Sequence, residues 1–194
     1  IISAPIAEAM TTPIINHLLF DTDGYLLLGT YNGLFRFNPQ QQKFQHFPHD
    51  PSKEGTVAAD RINCIYIDPS GIVWLGTNKG VSVSNPLQQQ FTQTFLPRPA
   101  GKDVVIHDFY KDENNDLWIG TSEGLYIQRN GRTDFEHHQL KYNGVPIGVS
   151  RFFKDSKGNH YLGTNYSLFR FNPKTFSISL LPNTEKDGVM NQII

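Results

Sequence analysis

At 194 residues, with 38% hydrophobic and 18% charged side chains, the chain has the composition of an ordinary globular protein, which excludes a disordered one. The formal net charge of -1, with both signs interspersed, leaves no footprint for nucleic acid or an anionic membrane; Cys64, the single cysteine, excludes a disulfide framework and a thiolate metal cluster. No apolar run reaches the roughly eighteen residues of a membrane span, and residues 1–10 lack the basic flank of a signal peptide, so neither is expected within this sequence.

From its N-terminus the chain passes four times through one series of elements. The first is an apolar run closed by Asp, at 15–21, 62–68, 106–112 and 149–155, expected as a strand, A. Three residues past each Asp stands Gly24, Gly71, Asn115 or Gly158, where a tight hairpin needs tolerance of positive φ, and the Asp side chain can cap that turn through its own backbone. Strand B follows at 25–30, 72–77, 116–121 and 159–164, carrying Leu27, Trp74, Trp118 and Tyr161 at one equivalent place and closing each time in Gly-Thr. Those Gly-Thr pairs lie 47, 44 and 43 residues apart.

Gly33, Gly80, Gly124 or Ser167 then leads into strand C, at 34–37, 81–84, 125–128 and 168–171. It is ended by Asn38-Pro39, Asn85-Pro86, Asn130-Gly131 and Asn172-Pro173. A looser strand, D, is expected at 44–47, 91–95, 135–138 and 176–181. The hexapeptide Leu34-Phe35-Arg36-Phe37-Asn38-Pro39 recurs as Leu168-Phe169-Arg170-Phe171-Asn172-Pro173, displaced by 134, so the first and last copies are in phase. Units of this length cannot bury an apolar face alone and must stack.

Four antiparallel strands per repeat predict an all-β chain of β-propeller blades, at about 14–47, 61–95, 104–140 and 147–181, in one partial propeller domain spanning 1–194. Residues 188–194 read as the start of a further strand A. The bulky side chains at the Trp position are expected as inter-repeat core.

The motif Asp-x-x-Gly-x-x-Trp-x-Gly-Thr-x-x-Gly, whole over 68–80 and nearly so over 112–124, resembles the two-component regulator propeller repeat. The first and fourth copies depart from it, with Leu27 and Tyr161 in the Trp position and Ser167 for the last Gly. The resemblance implies a periplasmic sensor region of a bacterial signalling protein, in which propellers precede a β-sandwich, a membrane helix and an output module such as a histidine kinase or diguanylate cyclase. It also implies a ring of about seven blades, of which this chain is a fragment, and ligands that are often oligosaccharides. Two uncovered blade faces would then favour a homodimer.

Strand A is the innermost strand of a propeller blade, so the row His17, Cys64, Asp108 and Arg151, four residues before each closing Asp, is expected at the central channel. Asp108 and Arg151 with His17 could hold a polar ligand or anion, or could simply line the channel; the flanking row Asn16, Asn63, His107 and Ser150 carries the same two readings. Arg98, Tyr142 and Asn143, in the D–A loops, have the chemistry for sugar stacking and hydroxyl recognition, and 48–60 is the longest such loop. The alternating oxygens of Asp21-x-Asp23-Gly24 and Asp112-x-Asn114-x-Asp116 coincide with the A–B hairpin and lack the bidentate Glu of a calcium loop. His137 and His138, adjacent on a strand, point to opposite faces and cannot share a metal.

No metal, cofactor or catalytic residue is expected: the chain has no His-Glu-x-x-His, phosphate-binding glycine loop or Gly-x-Ser-x-Gly elbow. Three functions are carried forward, in order: a ligand-sensing propeller segment, an interaction or dimerisation scaffold, and a polysaccharide lyase or hydrolase.

Overall fold

The computed structural model describes residues 14–85, 90–97 and 103–182; the expected further strand at 188–194 lies outside them. In every repeat the Asp that closes strand A builds the first hairpin. Its Oδ1 accepts the backbone N–H groups two and four residues on, at 2.8–3.1 Å: Asp23 and Tyr25 onto Asp21, Ser70 and Ile72 onto Asp68, Asn114 and Asp116 onto Asp112, Lys157 and Asn159 onto Asp155. Positive φ falls where the spacing demands it, including the non-glycine Asn115 at 63°. The Thr of each Gly-Thr clasps the next turn: Thr30, Thr77, Thr121 and Thr164 donate to the carbonyls of Gly33, Gly80, Gly124 and Ser167, and accept the amides of Asn32, Lys79, Glu123 and Tyr166. A buried hydroxyl is thereby satisfied as donor and as acceptor, which an aliphatic side chain could not reproduce.

These turns join four four-stranded antiparallel sheets, each in sequential order. The first holds β1 (Ile15–Phe20), β2 (Leu26–Thr30), β3 (Gly33–Asn38) and β4 (Lys43–Phe47), and the second β5 (Ile62–Ile67), β6 (Val73–Thr77), β7 (Val81–Asn85) and β8 (Gln90–Thr94). The third holds β9 (Ile106–Lys111), β10 (Leu117–Thr121), β11 (Gly124–Gln128) and β12 (Glu136–His138). A separate hairpin, β13 (Leu140–Tyr142) and β14 (Val145–Ile147), precedes the fourth sheet, β15 (Val149–Lys154), β16 (His160–Thr164), β17 (Leu168–Asn172) and β18 (Ser177–Leu180). No helix long and apolar enough to cross a membrane occurs among the described residues.

The chain divides into two compact units, Ile1–Leu96 and Pro97–Ile194, with two four-stranded sheets in each. In the first, Leu27 and Leu34 of one sheet pack on Ile62, Ile65, Leu75 and Phe91 of the next. In the second, Trp118, Leu125 and Ile127 pack on Val149, Leu162 and Phe169. Each such side chain contributes about 1.5–3 kcal/mol by leaving water. The Gly of Gly-Thr lets the sheets approach: a Cβ on Gly29 would sit 2.9 Å from Ile62 Cγ2, and one on Gly120 2.9 Å from the Val149 carbonyl oxygen.

Two features differ from a bare repeat. The D–A connection of the second unit forms the β13–β14 hairpin, turning on Asn143-Gly144 with φ of 49° and 80°, the positive pair of a type I′ turn. The 48–60 loop, polar in sequence, buries Val57, Ala58 and Ala59, and the Ser82 hydroxyl accepts the Ala58 amide at 2.8 Å.

Candidate functional site

Strand A carries a β-bulge at one place in all four sheets. Its register shifts between Ile15 and His17, Ile62 and Cys64, Ile106 and Asp108, and Val149 and Arg151, leaving Asn16, Asn63, His107 and Ser150 as the extra residues. A bulge re-aims the side chain that follows it, and here that side chain reaches the neighbouring sheet. In the first unit His17 Nδ1 accepts the Ile65 amide of β5 at 2.8 Å; in the second, Asp108 Oδ2 accepts the equivalent Phe152 amide of β15 at 2.8 Å. The flanking Asn16 amide donates to the Ile62 carbonyl at 2.8 Å.

His17 and Asp108 of the candidate row thus clip adjacent sheets together. Arg151, exposed, donates through one guanidinium nitrogen to the carbonyls of His107 at 2.9 Å and Ser150 at 2.7 Å. Burial pushes the Asp108 carboxyl up to about 6, against the opposing pull of the Phe152 amide, the Arg151 charge and the Phe109 amide. Cys64 is buried on β5.

Of the loop candidates, Arg98 lies outside the described residues. Tyr142 is half-buried on β13 with its ring edge-on to Phe169, centroids 5.0 Å apart, and Asn143 is exposed at the hairpin tip. Both acidic stretches are engaged by protein: Arg36 donates to Asp21 Oδ2 at 2.8 Å, and Arg129 pairs with Asp116 at 2.8 Å and Glu136 at 2.9 Å. His137 and His138 do separate, one stacked on Tyr126 and the other on Phe176.

The second unit also holds a cleft that no motif of the sequence marks. It opens between the third and fourth sheets, at the strand ends that carry the A–B turns, and encloses about 520 Å³. Tyr110 and Trp118 supply one wall, Phe152, His160 and Phe171 the other, and Phe176 closes the side. Trp118 meets Phe171 edge-on with centroids 5.9 Å apart and stacks on Phe176 at 6.0 Å; Tyr110 stacks on Phe152 at 5.8 Å.

Rings propped against one another cannot fold into the gap, so the cavity persists. The Trp118 indole donates to Asp112 Oδ2 at 3.1 Å, and the Tyr161 hydroxyl to Asp155 Oδ2 at 3.1 Å, so an aromatic in the Trp position is fixed by the Asp of its own repeat. Burial, reinforced by the Lys154 charge, holds His160 below its ordinary pKa, against the carboxylates of Asp112 and Asp155. Lys154 is paired with Glu113 across the seam. At the corresponding seam of the first unit, Leu27, Leu34, Phe47, Val73 and Phe91 leave about 180 Å³.

Comparison with known proteins places these repeats. Residues 56–79 and 101–123, which fall largely in the second and third repeats, match the family model of the two component regulator propeller, the family whose repeat the Asp-to-Gly motif resembles. No curated protein matches the chain in sequence. Among solved structures it is similar to the extracellular domains of two hybrid two-component systems from B. thetaiotaomicron. One is 20% identical with a TM-score of 0.74, covering 91% of this chain and 23% of that one. The other is 19% identical with a TM-score of 0.70, covering 88% and 24%. PorZ, a surface component of the type-IX secretion system of Porphyromonas gingivalis, is 16% identical with a TM-score of 0.62, covering 86% and 27%. The chain therefore spans about a quarter of the length of these proteins, and the shared property is the β-propeller fold.

Proposed function

We propose that the chain is part of the extracytoplasmic, ligand-sensing propeller of a bacterial two-component sensor. Its state would pass through a membrane helix of the parent protein to a cytoplasmic output, a histidine kinase or a diguanylate cyclase. The observation that carries this reading is the pair of adjacent repeats matching the two component regulator propeller. The fold shared with extracellular domains of hybrid two-component systems supports the location outside the cytoplasm. The ligand is a small molecule, with oligosaccharides first in order. The segment itself is read as non-catalytic, because His17 and Asp108 spend their acceptor atoms on backbone amides of the next sheet.

The test is a transcriptional reporter driven by the full-length parent receptor, challenged with polysaccharide hydrolysates. Deleting residues 104–181 should abolish induction while the receptor still reaches the membrane; induction unchanged by the deletion overturns the reading.

One observation favours the scaffold reading as a second. Leu18 and Phe20 lie on one face of β1 and are 55% and 62% exposed, an apolar stripe suited to pairing in a homodimer. A monodisperse monomer in light scattering at high protein concentration would remove it.

A further inference from the structure

We infer that the seam between the third and fourth sheets is a binding site for an uncharged, ring-shaped small molecule with a flat apolar face and a hydrogen-bonding edge. The inference takes its biological purpose from the sensing reading, whereas the site rests on its own geometry. Position within the repeat is the first argument. Leu27, Val73 and Ser84 at the seam of the first unit are replaced at equivalent places by Trp118, His160 and Phe171, and the enclosed space rises from about 180 to about 520 Å³. The value falls within the roughly 300–1,000 Å³ of small-molecule sites.

Charge decides the class. Glu113 is paired with Lys154, Arg129 is shared by Asp116 and Glu136, and Asp112, which keeps its charge, has one oxygen engaged by the Trp118 indole and the other by the turn amides of Asn114 and Asp116. Lys174, also on the rim, is exposed to solvent, where a single ion pair contributes little. An ionic ligand would thus lose its hydration for a site whose charged groups are already engaged by protein partners.

Polar groups remain for a neutral one. The Tyr110 hydroxyl, the Asn114 side-chain amide and the His160 imidazole line the cleft and make no hydrogen bond within the described residues. They offer both donors and acceptors to the edge of a ring lying against Phe152. The walls are already in place, since Asp108 fixes the β15 backbone through the Phe152 amide and the rings brace each other, which lowers the ordering cost of binding.

Two sources share this chemistry, a pyranose sugar and a neutral heteroaromatic, and the experiment separates them. In two-dimensional NMR of the ¹⁵N-labelled chain, the indole N–H signals of Trp118 and Trp74 are followed during addition of cellobiose, of caffeine, of benzoate and of benzylammonium. Saturable movement of the Trp118 signal with cellobiose or with caffeine, Trp74 staying in place, is the expected result, and the probe that acts names the source. Tyr110→Phe and His160→Ala should each weaken that binding about two- to tenfold, the loss of one hydrogen bond. The inference falls if only the charged probes move Trp118, or if none of the four does. Should no probe bind while the deletion still silences the parent receptor, the inference fails and the sensing reading stands; saturable binding with a receptor blind to the deletion is the reverse.

Discussion

Between the first and second sheets, Leu27, Val73 and Phe91 fill the seam and leave about 180 Å³; between the third and fourth, Trp118, His160 and Phe171 frame about 520 Å³. The backbone chemistry around the two seams is the same. Each has the Asp-capped A–B turn, the Thr clasp, the strand A bulge, and an amide of the next sheet held by a side chain four residues before the Asp. The contrast teaches that the invariant part of the repeat specifies a blade, while a few ring positions decide whether the junction between blades is core or cavity. Even the second oxygen of the turn Asp follows this division. In the first sheet it is taken by Arg36, which also lies over the Tyr25 ring at 3.7 Å, and in the third by Trp118.

Substitutions at matched places sharpen or break the comparison. Trp118→Ala, at a side chain only 4% exposed, should cost about 3–5 kcal/mol in urea unfolding. A loss below about 1 kcal/mol would mean that Trp118 is no part of the wall and the aromatic seam is not built as described. Asp108→Asn should act in the opposite direction. Its folded pKa is raised to about 6 from 3.8, so the folded state favours the protonated form, and the chain gains stability as pH falls from 6 toward 4 and loses it as pH rises through 6. Removing that charge should therefore stabilise the chain at pH 7 by about 1–3 kcal/mol and erase its share of the slope, whereas a destabilised, still sloping variant would contradict the buried clip.

The glycines come next. Gly120→Ala should cost about 1–3 kcal/mol because its new Cβ meets a backbone carbonyl, and Gly29→Ala a comparable amount, because there the obstacle is Cγ2 and Cβ of Ile62, a fully buried β-branched side chain. Melting temperatures unchanged from that of the unsubstituted chain in both variants would show that the close approach matters in neither unit. The smallest effect is expected for Asp155→Asn. The Asn159 side-chain amide leads the groups that hold its folded pKa near 2, below the model-peptide value of 3.8, so its contribution is present above pH 4 and lost as pH falls toward 2. The variant should flatten only that acid limb in a thermal-unfolding series, and an unchanged limb would place the effect elsewhere.

How far the sequence reveals this molecule depends on the range of the interactions involved. Each strand A, B, C and D could be placed because Asp, the turn Gly or Asn, and Gly-Thr act within a few residues of themselves, through bonds such as Asp68 Oδ1 to the Ile72 amide. The hairpin tip Asn143-Gly144 was also written locally, as the strongest short hairpin signal there is, but Tyr142 and Asn143 were read as loop chemistry instead. The bulges at Asn16, Asn63, His107 and Ser150 have no such mark, and in the structure two of the side chains after them, His17 and Asp108, accept an amide of the next sheet. The cleft was not legible for a related reason. The aromatic residues could be counted, but that Trp118 and Tyr110 of one sheet face Phe152 and Phe171 of another, braced apart by Phe176, is a property of packing between sheets.

Solvent accessibility of the two seams to a small uncharged probe tests that central contrast most directly. With an uncharged nitroxide as co-solute, side-chain NMR signals of Tyr110, His160 and Phe176 should broaden strongly while those of Leu27 and Leu34 stay sharp; equal broadening in the two units would contradict the account.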